Sequence, residues 1–87
     1  MEQQGYDIIT RMNDKYIKMS KGHKAIAAYI SDHYEQAVFM TAAKLGETVG
    51  VSESTVVRFA TALGYDGYPE FQRALEEWVK NKLNSVQ

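Results

Sequence analysis

The stretch GVSESTVVRF, from Gly50 to Phe59, gathers polar side chains at the start of a predicted helix. Serine and threonine hydroxyls, together with the free N–H groups of a helix start, suit phosphate oxygens. Arg58 can donate paired hydrogen bonds to guanine O6 and N7, or bind a phosphate. Glu53 can accept from a cytosine amino group, and Val57 can contact a thymine methyl. The pattern predicts a DNA-binding surface, and its candidate residues are Ser52, Glu53, Ser54, Thr55, Val57 and Arg58.

Two short predicted helices hold this surface in place. Thr41 is a candidate N-cap for the first, which ends near Val49, and Gly50 then suits a left-handed helix stop. Ser52 is the N-cap of the second helix, which ends at Leu63 before a second glycine stop. Two short helices joined by a glycine-containing turn form a helix-turn-helix, here over residues 41–63.

The second helix of the predicted helix-turn-helix has two distinct faces. Apolar residues recur at i, i+3, i+4 and i+7, and they are Val56, Phe59, Ala60 and Leu63. This stripe must face the core, so the candidate DNA-contacting side chains point outward. A helical corner without any ligand is the alternative interpretation of this motif.

The remaining sequence predicts a single all-α domain of five helices over residues 1–87. Helix one covers about 6–18, and helix two begins after the cap Ser20 and ends near residue 34. A connection follows, with Val38 and Phe39 as apolar anchors. Helix five begins near Pro69, and its buried face comprises Phe71, Leu75, Trp78, Val79 and Leu83.

Composition narrows the classes of function. The net charge is −1, but residues 11–24 hold five basic residues against one acid, Asp14. That basic stretch is either a solvated helix face or a surface that attracts an anionic partner. The chain has no cysteine, two histidines ten residues apart and no glycine-rich phosphate loop. We therefore expect no enzyme activity, no cofactor and no metal.

The location of the protein can also be predicted. The N-terminus lacks a basic region followed by an apolar core, and no apolar run approaches the roughly 20 residues of a membrane span. We therefore expect a cytoplasmic protein without a membrane partner.

The segment TAAKLGETVGVSESTVVRFATALGYDGYPEF, from Thr41 to Phe71, resembles the N-terminal DNA-binding domain of the RpiR family of bacterial transcriptional regulators. SKGHKAIAAYI, from Ser20 to Ile30, is similar to the family's second helix, and LGYDGYPEF is its most specific signature. Gly46 departs from the pattern, because alanine is more usual there. The resemblance implies that Ser52–Thr55 and Arg58 face double-stranded DNA. It also implies a C-terminal SIS domain that binds a phosphosugar effector, for which 87 residues leave no room.

Helix one suggests a second kind of partner. It is apolar on more than one face, through Ile8, Ile9, Met12, Tyr16, Ile17 and Met19. Such a helix often pairs with another chain, so we expect a homodimer. A helical dimerisation or protein-interaction module without DNA binding is therefore the alternative function, although both can hold in one protein.

Overall fold

A computed structural model describes the backbone of residues 8–84 and the side chains as far as Lys82. Over this range the chain is all-α and has no strand, which confirms the predicted fold class. A single 3-10 turn, Tyr16–Lys18, lies between the first two helices. The helices are α1 Ile8–Lys15, α2 Lys21–Asp32, α3 Tyr34–Ala37, α4 Ala42–Val49, α5 Glu53–Ala62 and α6 Tyr68–Asn84.

The N-cap predictions are confirmed. In each case the side-chain oxygen accepts a hydrogen bond from the backbone N–H three residues on, which satisfies a donor that the helix leaves free. The pairs are His23 N with Ser20 Oγ (3.3 Å), Lys44 N with Thr41 Oγ1 (3.0 Å) and Thr55 N with Ser52 Oγ (3.1 Å). Local hydrogen bonding therefore sets where α2, α4 and α5 begin.

The region between α2 and α4 differs from the prediction. Residues 34–37 form the extra helix α3, where we expected only a connection. Ala37 and Val38 turn inward and are buried, whereas Phe39 is 85% exposed, so its prediction as an anchor is wrong. Two consecutive inward residues in this tight turn leave the next side chain on the outer side. The segment is tied instead through Tyr34, whose ring meets the Trp78 ring edge-on at 4.9 Å.

Helix one is shorter than predicted at its C-terminal end. The α-helix stops at Lys15 and the 3-10 turn continues to Lys18, where Met19 N–H bonds Tyr16 O at 3.0 Å. The expected start near residue 6 lies outside the described residues.

One core joins all six helices. It contains Ile8, Met12, Ile26, Ala27, Ile30, Ala37, Val38, Ala42, Leu45, Val56, Phe59, Ala60, Leu63, Tyr68, Phe71, Leu75 and Val79. Phe71 is central, because its ring packs against those of Phe59 (5.7 Å), Tyr65 (5.8 Å) and Tyr68 (5.6 Å). The predicted buried face of the last helix is therefore confirmed at Phe71, and also at Leu75 and Val79. Trp78 is half-buried, and the side chain of Leu83 lies outside the described atoms.

Long-range hydrogen bonds from side chains hold the helices in position. Arg11 Nη1 donates to Leu63 O at 3.1 Å, and its guanidinium lies 4.7 Å from the centre of the Tyr65 ring. This contact occupies one of the carbonyls that the end of α5 would otherwise leave unpaired. On α6, Tyr68 Oη and Gln72 Nε2 both donate to Met40 O, at 2.7 and 3.0 Å. Arg11 is thus a structural residue, although it belongs to the basic stretch.

The helices of residues 8–84 include none that is both long and apolar enough to cross a membrane.

Candidate nucleic-acid interface

Two glycines shape the turn that joins α4 to α5. Gly50 has φ of 97°, in the left-handed region, and its N–H bonds Gly46 O at 2.7 Å. The predicted helix stop is therefore confirmed. Gly46 serves the turn differently, because a Cβ built there would lie 2.7 Å from Val51 O. Only a residue without a side chain allows the turn to lie this close to α4. This close approach explains why position 46 holds glycine and not the alanine that is more usual in the family.

The two faces of α5 are separated as predicted. Val56, Phe59 and Ala60 are fully buried, and Leu63 is 2% exposed. The opposite face is open to solvent and carries Glu53, Ser54, Val57, Arg58, Thr61 and Ala62. The helix is thus fixed to the core by one side while the other side is presented outward.

A chain of hydrogen bonds connects the start of α5 to Arg58. Ser52 Oγ accepts from Thr55 N–H and lies 2.8 Å from Thr55 Oγ1. Arg58 Nη2 in turn donates to Thr55 Oγ1 at 3.3 Å. The guanidinium is held toward the helix N-terminus by one N–H, so its other N–H groups can reach an external acceptor.

The remaining candidate residues lie on the same side of the helix. Glu53 and Ser54 are exposed in the first turn, and Ser54 Oγ is 3.2 Å from Ser52 Oγ. Val57 is 37% exposed, which is a large apolar surface for an otherwise polar face. Thr55 is half-buried at the edge of this face. The structure therefore brings all six sequence-predicted residues together at one end of α5.

The first turn of α2 packs beside this face, a contact that the sequence did not predict. A Cβ built on Gly22 would lie 3.6 Å from both Thr55 Cγ2 and Val51 Cγ1, so the two helix starts touch. The His23 ring meets Phe59 edge-on at 5.6 Å. Burial lowers the pKa of His23, and the positive charge of Arg58 lowers it further. The only signal of this neighbourhood in the sequence is the basic stretch of residues 11–24.

The exposed face of α5 offers hydroxyl donors, one guanidinium and an exposed apolar side chain. These groups suit phosphates, guanine edges and thymine methyls respectively. Within residues 8–84, no three histidine or carboxylate side chains are placed to hold a metal ion. The arrangement is suited to recognition of an anionic polymer through its surface groups.

A left-handed glycine turn between two short helices, with the second helix anchored on one face and polar on the other, defines a helix-turn-helix DNA-binding domain. The model of the rpiR-family helix-turn-helix domain matches residues 6–82. The chain belongs to this family of transcriptional regulators, as the resemblance of its sequence predicted.

Curated relatives agree with this assignment. The HTH-type transcriptional regulator YfhH of Escherichia coli is 33% identical over 77 residues, which cover 88% of this chain and 27% of YfhH. HexR of Pseudomonas aeruginosa, an HTH-type transcriptional regulator, is 28% identical over 71 residues, or 82% of this chain and 25% of HexR. The chain therefore spans about a quarter of the length of these relatives. No solved structure matches the chain significantly.

Proposed function

We propose that this domain binds double-stranded DNA in a sequence-specific manner by placing α5 in the major groove. The observation that carries the proposal is the exposed face of α5, where Arg58 is held by Thr55 while the opposite face is buried. An α-helix fits the major groove, where each base pair presents a distinct pattern of donors and acceptors. The contacting residues are Ser52, Glu53, Ser54, Thr55, Val57 and Arg58.

The roles within this set follow from the chemistry of each side chain. Arg58 reads a guanine or binds a phosphate, and its hydrogen bond to Thr55 reduces the freedom that it loses on binding. Val57 contacts a thymine methyl, which removes its exposed surface from water. Glu53 accepts a hydrogen bond from a cytosine amino group and is repelled by phosphates. It therefore lowers the affinity for DNA sites and registers that would place a phosphate next to it.

Binding sites selected from a random DNA pool provide the test. Arg58→Ala should lose about 1–3 kcal/mol of specific binding in a gel-shift titration and relax the preference at one base pair. Arg73→Ala is the matched control, because Arg73 is exposed on α6 and not on α5. Unchanged affinity and base preference in a folded Arg58→Ala protein would exclude Arg58 from the interface.

The wider role follows from the family. We propose that the domain serves a cytoplasmic regulator of sugar or phosphosugar metabolism genes and catalyses no reaction itself. The effector would bind a SIS domain that lies outside these 87 residues, as the resemblance to the family implies. A panel of sugar phosphates should then leave the melting temperature of this domain unchanged. A saturable increase with one sugar phosphate, but not with inorganic phosphate, would contradict this separation of roles, because a ligand that binds the folded state stabilises it.

Homodimer formation is a further part of the proposal, and a dimerisation module is the alternative function. Ile8 and Met12 pack into the domain's own core, but Ile17 is 85% exposed and Tyr16 is 39% exposed. Within the described part of the predicted helix one, these two side chains on the 3-10 turn are the large apolar side chains that remain exposed to a second copy. A dimer would place two α5 helices on two half-sites of a palindromic operator.

Sedimentation of two matched variants tests the dimer. Ile17→Ser should shift the chain toward monomer, whereas Phe39→Ser, which removes an equally exposed apolar side chain, should not. A wild-type chain that remains monomeric at high concentration would contradict dimer formation. Dimers without any preference for selected DNA would instead support the alternative function.

A further inference from the structure

The C-terminal end of α5 borders a groove that none of the six candidate residues occupies. The groove has a volume of about 720 Å³ and lies between α5, the end of α1 and the start of α2. Its lining residues are Asp14, Lys15, Lys18, Met19, Ser20, His23 and Ala62. Ala62 belongs to the exposed face of α5, so the groove continues directly from the proposed DNA-reading surface.

Two lysines of the basic stretch are available in this groove. Lys15 and Lys18 are both exposed, and within the described part of the chain neither ammonium group forms an ion pair. The other three basic residues of the stretch do not line the groove, and two of them have contacts elsewhere. Arg11 bonds Leu63 O, and Lys24 Nζ lies 5.4 Å from the centre of the Tyr16 ring. Lys15 and Lys18 are therefore the two lysines of the stretch that line the groove beside α5, while Lys21 is exposed outside it.

The geometry of a bound helix indicates what this groove would meet. From Ser52 to Ala62 the helix rises about 15 Å, at roughly 1.5 Å per residue. The major groove of DNA is only about 8.5 Å deep and 12 Å wide. When the N-terminal residues of α5 reach the base edges, its C-terminal end therefore stands at the level of the phosphate backbone.

We infer that the groove lined by Lys15 and Lys18 receives the sugar-phosphate backbone of the strand that borders the major groove, with one phosphate contact from each lysine. This inference rests on the proposed insertion of α5. The two ammonium groups neutralise phosphates and release bound counterions, which adds affinity without base preference. Ala62 offers no charge or bulk to oppose the backbone. Asp14 is the one acidic residue of the groove, and it weakens the same contact.

The salt dependence of binding tests the inference with this 87-residue chain and a duplex selected from a random pool. Lys15→Gln/Lys18→Gln should reduce the slope of log affinity against log salt concentration by about 2, since each lost phosphate contact accounts for about 0.9. The selected base preference should stay unchanged. Arg73→Gln/Lys80→Gln is the matched control, because it removes the same charge from exposed positions on α6 and should leave the slope unchanged.

A second variant tests the groove in the opposite direction. Asp14→Asn removes the acidic residue and should tighten binding by several-fold at low salt, with a smaller gain as salt rises. Equal slopes in the lysine variant and the wild type, or a slope reduced equally by the α6 control, would overturn the inference while leaving the proposed function intact. A wild-type chain that fails to bind any duplex would overturn both proposals.

Discussion

Gly46 and Gly50 lie one helical turn apart, and the structure predicts that alanine destabilises the domain at each position for a different reason. Gly50 has φ of 97°, and a Cβ built there has no neighbour within 4 Å. Gly46 lies inside α4, and its Cβ would lie 2.7 Å from Val51 O. The first position requires a backbone conformation, and the second requires the absence of a side chain.

The magnitudes follow from these two situations. Gly50→Ala should cost about 1–2 kcal/mol, which is the penalty of the left-handed region for a residue with a Cβ. Gly46→Ala gains about 1 kcal/mol of helix propensity. Overpacking costs about 1–3 kcal/mol, and contact with a backbone oxygen that cannot rotate away favours the upper end of this range. The net loss at Gly46 should therefore be about 1–2 kcal/mol.

Asparagine separates the two mechanisms. It adopts the left-handed conformation more easily than alanine, so Gly50→Asn should recover part of the stability that Gly50→Ala loses. Gly46→Asn should be less stable than Gly46→Ala, because it adds atoms to a site that has no space. Thermal unfolding followed by circular dichroism measures all four variants, and each 1 kcal/mol corresponds to roughly 4–8 °C in a domain of this size.

Two results would refute this reasoning. A Gly46→Ala protein that melts at or above the wild-type temperature would show that the turn moves away at no cost. Alanine and asparagine of equal stability at Gly50 would show that the left-handed conformation is not what glycine provides there. DNA affinity adds a second measurement, because a displaced turn tilts α5, so Gly46→Ala should bind DNA more weakly even where it is fully folded.

Three substitutions outside the turn give further predictions. Tyr68→Phe removes the hydroxyl that donates to Met40 O at 2.7 Å and should cost about 0.5–1.5 kcal/mol in urea unfolding. Burial raises the pKa of Tyr68 to about 12, so the same variant should lose the latest step of an alkaline phenol titration. Burial, and after it the positive charge of Arg58, lowers the pKa of His23 below 6.5 in the folded state. The unfolded chain therefore binds the imidazole proton more tightly, so the free energy of unfolding falls as the pH drops from above 6.5 through the folded-state pKa of His23. His23→Gln should flatten the dependence of the melting temperature on pH between about pH 5 and 8, and a profile identical to that of the wild type would contradict this. Arg11→Met should cost about 1–2 kcal/mol in urea unfolding by removing its charged hydrogen bond to the end of α5, and an unchanged free energy of unfolding would deny that contact a structural role.

Local features of the fold could be predicted because they depend on neighbours in the chain. Ser52 accepts from an N–H three residues away, and Gly50 ends α4 through its own backbone angle. The exposed face of α5 follows from the apolar stripe of Val56 and Phe59 on its other side. Such short-range rules located the helix-turn-helix and its polar surface.

Features that depend on distant residues could not be predicted in the same way. Arg11 meets Leu63 across 52 positions of the chain, and nothing in the pattern of α1 distinguishes it from the solvated lysines beside it. The packing of Gly22 against Thr55 joins two helix starts that are far apart in sequence. Phe39 was misjudged because its hydrophobicity is visible in the sequence, whereas the turn that points it outward is not.

The division of α5 into two faces has an evolutionary consequence. Its anchoring residues are buried, whereas Ser54, Val57 and Arg58 are exposed. Exposed substitutions of this kind usually change stability by less than about 0.5 kcal/mol, so these positions can vary while the domain still folds. If this face reads DNA as we propose, a copy that arises by gene duplication can acquire a new operator through a few changes on one helix face without passing through an unstable intermediate. The same scaffold can thus supply regulators for many different promoters.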